Sequence, residues 1–225
     1  MTSEVSSGEE TRFAPAERAS RACVQRQMRT VVEHPASSAV LESLGGLVMV
    51  LNKERQAVAV NPGVLRLLGI ERPEKVIGMR PGEALGCAHA RSAPGGCGTG
   101  AACRSCGAVL AILGVQEDGA PRERECYITA MRDGVPEPHE FLARASDLRC
   151  GEERCTLLSL RDIRAEKRRD YLERVFHHDL MNTMGGLIGI TDCLQFAEGV
   201  ERDELIESVA RVSGRLLGEI RAHRS

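Results

Sequence analysis

Residues 47–70 read LVMVLNKERQAVAVNPGVLRLLGI. Two short apolar runs, 47–52 and 57–61, flank the polar tetrapeptide KERQ, which predicts a β-hairpin. The second run ends in Asn61-Pro62. Asn at an N-cap and Pro at the first helical position, followed by Val64, Leu65, Leu67 and Leu68, predict a short helix. Upstream, residues 1 to about 15 are polar and are expected to be disordered. Residues 16–33 predict a modest amphipathic helix stopped by Pro35, and Ser37–Leu44 a second short helix leading into Gly45-Gly46. Downstream, RECYITAM (124–131), EFLARASDL (140–148) and RCTLLSLRDI (154–163) are candidate strands, separated by turn-rich segments such as RDGVPEP.

The order strand, strand, short helices, strand, strand, strand resembles a PAS domain over residues 37–163. VIGMRPGEAL (76–85) is similar to that family's short-helix segment. Arg161-Asp162-Ile163 resembles its Asp-Ile-Thr terminus, with Arg164 in place of Thr. The resemblance implies an α+β fold, a five-stranded antiparallel sheet with flanking helices. It also makes Asp162 a candidate for coupling the sheet to the helix that follows. The expected organisation is a polar tail and helix (1–36), a PAS-like sensor (37–163) with a cysteine-rich insertion (86–107), and a signalling helix and hairpin (164–225).

From Ile163 a helix is predicted without Gly or Pro as far as FHHDLMNTMGGLIGITDCL (176–194), ending near residues 197–199. Phe176, Leu180, Thr183, Leu187, Ile190 and Leu194 alternate spacings of four and three, the pattern of a bundle seam. Measured from Phe176, His178 lies roughly 200° and Asn182 roughly 240° round the helix, so both face away from the seam. Gly185 falls on the same side and leaves room for a docking protein. Residues 201–225 predict a second helix with a stripe of Leu205, Val209, Val212, Leu216 and Ile220. The short connection predicts an antiparallel hairpin, and two chains then make a dimeric four-helix bundle that covers the apolar faces.

A neutral imidazole is a nucleophile near neutral pH. An acid beside it fixes its tautomer and accepts the other N–H proton. An amide one turn on can hold a water or a phosphoryl oxygen. The sequence His178-Asp179-x-x-Asn182 resembles the phosphoacceptor box of two-component sensor histidine kinases. The resemblance implies His178 as phosphoacceptor, Asp179 as the acid/base that orients it, and Asn182 as the contact for phosphatase chemistry. His177 adjoins it, and His178 is chosen because it precedes the acid. The bland alternative is a pair of ordinary surface histidines.

Four of the nine cysteines, Cys87, Cys97, Cys103 and Cys106, fall in one Gly-rich stretch with spacing C-x9-C-x5-C-x2-C. Four thiolates suit an iron–sulfur cluster or a structural zinc ion equally, and the choice stays open. The position inside a sensory domain tilts the reading to iron–sulfur. A metal-free dithiol switch on Cys103 and Cys106 and an unliganded loop are the alternatives. His89 could replace one thiolate. Cys23, Cys126, Cys150, Cys155 and Cys193 are read as small core residues. The flavin motif Asn-Cys-Arg-Phe of light-sensing PAS relatives is absent, and residues 63–85 hold no His for haem, which leaves His89 and His139 as remote candidates.

A net charge of −2, no Trp, two Tyr and four Phe give no case for nucleic-acid binding. No apolar run is long enough to span a membrane and the N-terminus is not a signal peptide, so a cytoplasmic protein with reduced thiols is expected. No phosphate-binding loop is present. GGLIGI (185–190) lies inside a helix and lacks the Lys-Ser/Thr. ATP is therefore expected to act only through a kinase domain in a longer chain or in trans, with a homodimer and a response-regulator receiver domain as further partners. A truncated piece of a kinase is the favoured expectation over a stand-alone phosphotransfer protein.

Overall fold

The computed structural model describes residues 11, 13–33 and 35–224. The disorder expected of residues 1–10 and 12 lies outside the described residues. Residues 13–15 depart from it: Ala14 is buried and its N–H donates to the Gly98 carbonyl at 3.1 Å. The chain divides into two units, Met1–Arg164 and Ala165–Ser225.

The first unit is built on β1 (Leu47–Leu51), β2 (Ala57–Val60), β3 (Arg122–Arg132), β4 (Val135–Cys150) and β5 (Glu153–Asp162). The strands are antiparallel in the order β2-β1-β5-β4-β3, so the first and last strands are neighbours at the centre. Five antiparallel strands with helices inserted between β2 and β3 make the PAS-like fold that the element order led us to expect. β1 is apolar throughout because both of its faces are covered. Met49 and Leu51 join Leu158, Leu160, Ala143 and Phe141 under the inserted helices. Val50 and Val58 face the other way, against Val24 and Val31 of α1 (Arg21–Val32). Helix α1 begins five residues later than expected. Ser20 caps it, and residues 16–20 are not helical.

Helix α2 spans Pro35–Ser43. Asn61 does more than cap α3 (Pro62–Leu68). Its Oδ1 accepts from Val64 N–H at 3.2 Å and from Val48 N–H at 3.0 Å, and its Nδ2 donates to the Leu44 and Gly46 carbonyls. One side chain thus ties the hairpin to the helix that leaves it. After the short helix α4 (Pro81–Ala84) comes α5 (Gly107–Asp118), a helix the sequence reading did not single out. Ala108, Val109, Ala111, Ile112 and Val115 of α5 are buried. Its residues are apolar nearly all round, so they show no periodicity to read. Burying Ile112 alone is worth about 2 kcal/mol.

RDGVPEP is not the turn it resembled. The turn is only Asp133-Gly134, and Pro136 and Pro138 lie in β4, opposite Met131 and Thr129. They are tolerated because β5 pairs with β4 only from Phe141 on, so no ladder bond is asked of them from that side.

The second unit holds α6 (Arg164–Leu194, which starts one residue before it) and α7 (Gly199–Arg224). The wheel reading of these helices holds residue by residue. From Tyr171 to Cys193 the half-buried positions are Phe176, Leu180, Thr183, Leu187 and Ile190, and Leu194 follows. In α7, Leu205, Val209, Val212, Leu216 and Ile220 are half-buried too. No described side chain of either helix is fully buried. Helix α6 ends at Leu194, a few residues earlier than expected, and α7 starts at Gly199, two residues earlier.

Candidate functional site

The four clustered cysteines line one cavity of about 220 Å³. Each reaches it from a different local structure. Cys87 follows α4, with its N–H on the Gly82 carbonyl at 2.7 Å, and it bridges Ala130 on the outer edge of β3. Cys97 donates its backbone N–H to Glu83 Oε1 at 3.1 Å. Cys103 lies in the 3-10 turn Ala101–Ser105, and Cys106 is the N-cap residue of α5. Gly82 makes room for two of them: a Cβ there would lie 2.8 Å from Cys97 Sγ and 3.3 Å from Cys87 Cβ.

A fifth thiol belongs to this group. Cys126 of β3 is buried with its Sγ 3.8 Å from Cys106 Sγ. The sequence reading placed Cys126 among small core residues, which it is, but missed this contact. The cause is Gly107, where a Cβ would lie 1.9 Å from the Glu125 carbonyl oxygen, so α5 starts directly against β3. Cys155 is buried as expected, while Cys23 is only half-buried and Cys193 is exposed, which corrects the core reading for those two.

The thiols differ in acidity. Burial pushes Cys97 up to about 12 and raises Cys87 as well. The hydrogen bond between the Cys106 and Cys126 thiols lowers Cys106, helped by the Val109 and Ala108 N–H groups at the start of α5, and Cys126 rises in turn. A bound metal would replace these protons, since thiolate is the liganding form.

Among the described residues, no three His, Cys, Asp or Glu side chains converge closely enough to hold one metal ion. A tetrahedral zinc site needs its sulfurs about 3.8 Å apart, given Zn–S bonds near 2.3 Å. His89 also lines this cavity. His139 is buried and stacked on Phe141, with ring centroids 5.6 Å apart.

Two arginines that the sequence reading passed over hold the cavity wall. Arg80 is fully buried and its guanidinium donates only to carbonyls: Glu54 from Nε, Gly95 and Cys97 from Nη1, and Pro15, Ala16 and Glu17 from Nη2. It knits the β1–β2 turn, the cysteine loop and the strap before α1. Burial lowers its pKa to about 10, so it stays charged at neutral pH. Arg55, in the β1–β2 turn, is 3% exposed and has φ of 65°, a left-handed conformation that costs a non-Gly residue about 1–2 kcal/mol. The missing Gly in NKERQ was the one legible sign that a side chain is wanted there.

Asp162 accepts from the Arg164 backbone N–H at 2.9 Å and from its guanidinium at 2.6 Å. Arg164 therefore holds Asp162 below the ordinary carboxylate range.

On α6, His178 Nδ1 lies 3.3 Å from Asp179 Oδ1, and Asn182 Nδ2 lies 3.2 Å from Nδ1 and 3.4 Å from Nε2. All three residues are exposed, and nothing lies within 4 Å of a Cβ added at Gly185.

No protein-family model and no curated protein matches the chain. Among solved structures it is similar to the PAS domain of an HTR-like protein from Haloarcula marismortui, at 17% identity over 61% of this chain and 98% of that one, with a TM-score of 0.39. It is also similar to VqmA from Vibrio cholerae in its ligand–DNA complex, at 18% identity over 56% and 49% of the two chains and a TM-score of 0.40. A LOV protein of Rhodobacter sphaeroides is similar at 16% identity over 89% and 97%, with a TM-score of 0.38. No described helix is long and apolar enough to cross a membrane.

Proposed function

We propose that this chain is the sensing and phosphoacceptor part of a cytoplasmic two-component histidine kinase. The PAS-like unit holds an iron–sulfur cluster on Cys87, Cys97, Cys103 and Cys106. Its redox or oxygen state controls phosphorylation of His178, and the phosphoryl group then passes to the aspartate of a response-regulator receiver domain. The observation that carries the reading is that four thiols from twenty residues of chain line one cavity beside the sheet. The place of these thiols inside a sensor-like unit tilts the reading to the cluster, and the zinc staple is the other four-thiolate reading.

In the second unit, His178 Nε2 attacks the terminal phosphorus of ATP held by a kinase domain in a longer chain or in trans. An N–P bond forms, the P–O bond to ADP breaks, and the ring proton on Nδ1 is shared with Asp179. Asn182 is the group for water or phosphoryl contact when the partner aspartate is dephosphorylated. Exposed apolar residues on α6 and α7, among them Met181, Ile188, Ile206 and Leu217, support a homodimer in which a second copy covers them.

The test is phosphoryl labelling with a histidine-kinase catalytic domain and labelled ATP supplied in trans, with the sensor oxidised and then reduced. Labelling that responds to redox state and disappears in His178→Gln is expected. Labelling that persists in His178→Gln contradicts the assignment. No labelling under any condition leaves a non-catalytic metal or redox module.

A further inference from the structure

The cavity wall carries more positive charge than its own residues balance. Arg18 and Glu83 form an ion pair with each other, and Glu17 is exposed. The Arg80 guanidinium donates only to carbonyls. Arg55 is the more telling case. Its Nη2 donates to the Pro15 carbonyl at 2.6 Å, yet its buried Nε has no hydrogen-bond partner. Arg55 and Arg80 both line the cavity that the four thiols line. A buried, unpaired donor on a buried cation, held on a backbone conformation that disfavours it, is a costly arrangement unless a ligand completes it.

The thiols also set the charge of that ligand. Four thiolates around a doubly charged zinc ion, or around a doubly charged oxidised iron–sulfur core, leave two negative charges. Two buried guanidinium groups cancel them. We propose that Arg55 and Arg80 are the counter-charges of an anionic thiolate-bound metal centre, and that Arg55 Nε–H donates to one of its cysteine sulfurs. Arg55 Nε lies beside Gly98, where a Cβ would be 3.3 Å away, so the adjoining Cys97 is the candidate acceptor. This rests on the metal reading above and adds the charge of the centre and the residue that tunes it. Arg55 is a positioning and tuning residue, since the metal itself is held by sulfur. When the centre gains an electron, its charge grows by one, so a nearby guanidinium stabilises the reduced form.

The test uses the full chain, metal-free and then loaded anaerobically with ferrous iron and sulfide, and with zinc in parallel. Wild type, Arg55→Gln, Arg55→Asn and Arg55→Lys are compared for metal per chain, metal affinity and the midpoint potential of the visible absorption. Asn tolerates the left-handed backbone, so it removes the guanidinium without adding strain. Far-UV circular dichroism of the metal-free variants checks their fold. The expected result is a loss of about tenfold or more in metal affinity in Gln and Asn. If a cluster forms, its midpoint moves to more negative potential, and Lys recovers part of both effects. Equal affinity and equal midpoint in wild type and Asn would overturn the role of Arg55 while leaving the metal reading standing. A wild-type chain that takes up neither iron nor zinc overturns both, and shows this without any variant.

Discussion

The cavity of the first unit and the histidine face of α6 are two reactive regions made in opposite ways. The histidine face is local: His178, Asp179 and Asn182 lie within a few residues on one exposed stretch of helix. Helical geometry alone brings them together, and among the described residues their side chains hydrogen-bond only to one another. The cavity is assembled from afar. Arg80 reaches carbonyls sixty-three to sixty-five residues upstream, and Cys106 meets Cys126 across α5 and β3. The lesson is that mutations in the cavity should cost stability and chemistry together, whereas mutations on the helix face should separate the two.

The largest effect should come from Arg80→Met. It removes the guanidinium donors from the Glu54, Gly95, Cys97, Ala16 and Glu17 carbonyls, and an unsatisfied buried group costs about 1–3 kcal/mol. A loss of at least about 3 kcal/mol in urea unfolding followed by circular dichroism is expected. Gly107→Ala should come next. Its Cβ would lie 1.9 Å from the Glu125 oxygen, so α5 must shift off β3 at a cost of about 1–3 kcal/mol. The same shift should separate Cys106 from Cys126, read as slower disulfide formation between them under mild oxidant.

A smaller effect concerns acid. Burial pushes the Glu83 carboxyl up, but hydrogen bonds from Arg18 and from the Arg80 and Cys97 N–H groups outweigh it, so the net shift is below the ordinary 4.5. Its contribution is complete above that value and is lost as the pH falls through the lower folded value. Unfolding at a series of pH values should show the first unit weakening below pH 4.5, and Glu83→Gln should flatten that limb. The smallest effect on stability belongs to His178→Gln, within about 0.5 kcal/mol of wild type. A larger loss there would break the comparison, because it would mean that the histidine face is structural.

The same contrast explains what could be read from sequence. Periodicity located the stripes of α6 and α7 down to single residues, and the Asn-Pro signal located α3 with its cap. These features depend on neighbours in the chain. Helix α5 was missed because a helix buried nearly all round has no polar face to set the period. The strap at residues 13–20 was missed because its partner, Arg80, lies far along the chain. Cysteine spacing led to the four cavity thiols but not to Cys126, whose place depends on how closely Gly107 lets a helix approach a strand. Arg55 left only a faint sign, a hairpin loop without the Gly its backbone calls for.

The central claim is that the thiol-lined cavity holds an iron–sulfur cluster. The most direct measurement is the visible absorption spectrum, with iron, zinc and sulfide content, of the chain purified without oxygen. The account predicts a brown protein with iron and sulfide, both lost when Cys103 and Cys106 are changed to Ser. A colourless protein would contradict it: one zinc per chain would make the cavity a structural staple, and no metal at all would leave the thiols to redox chemistry of their own.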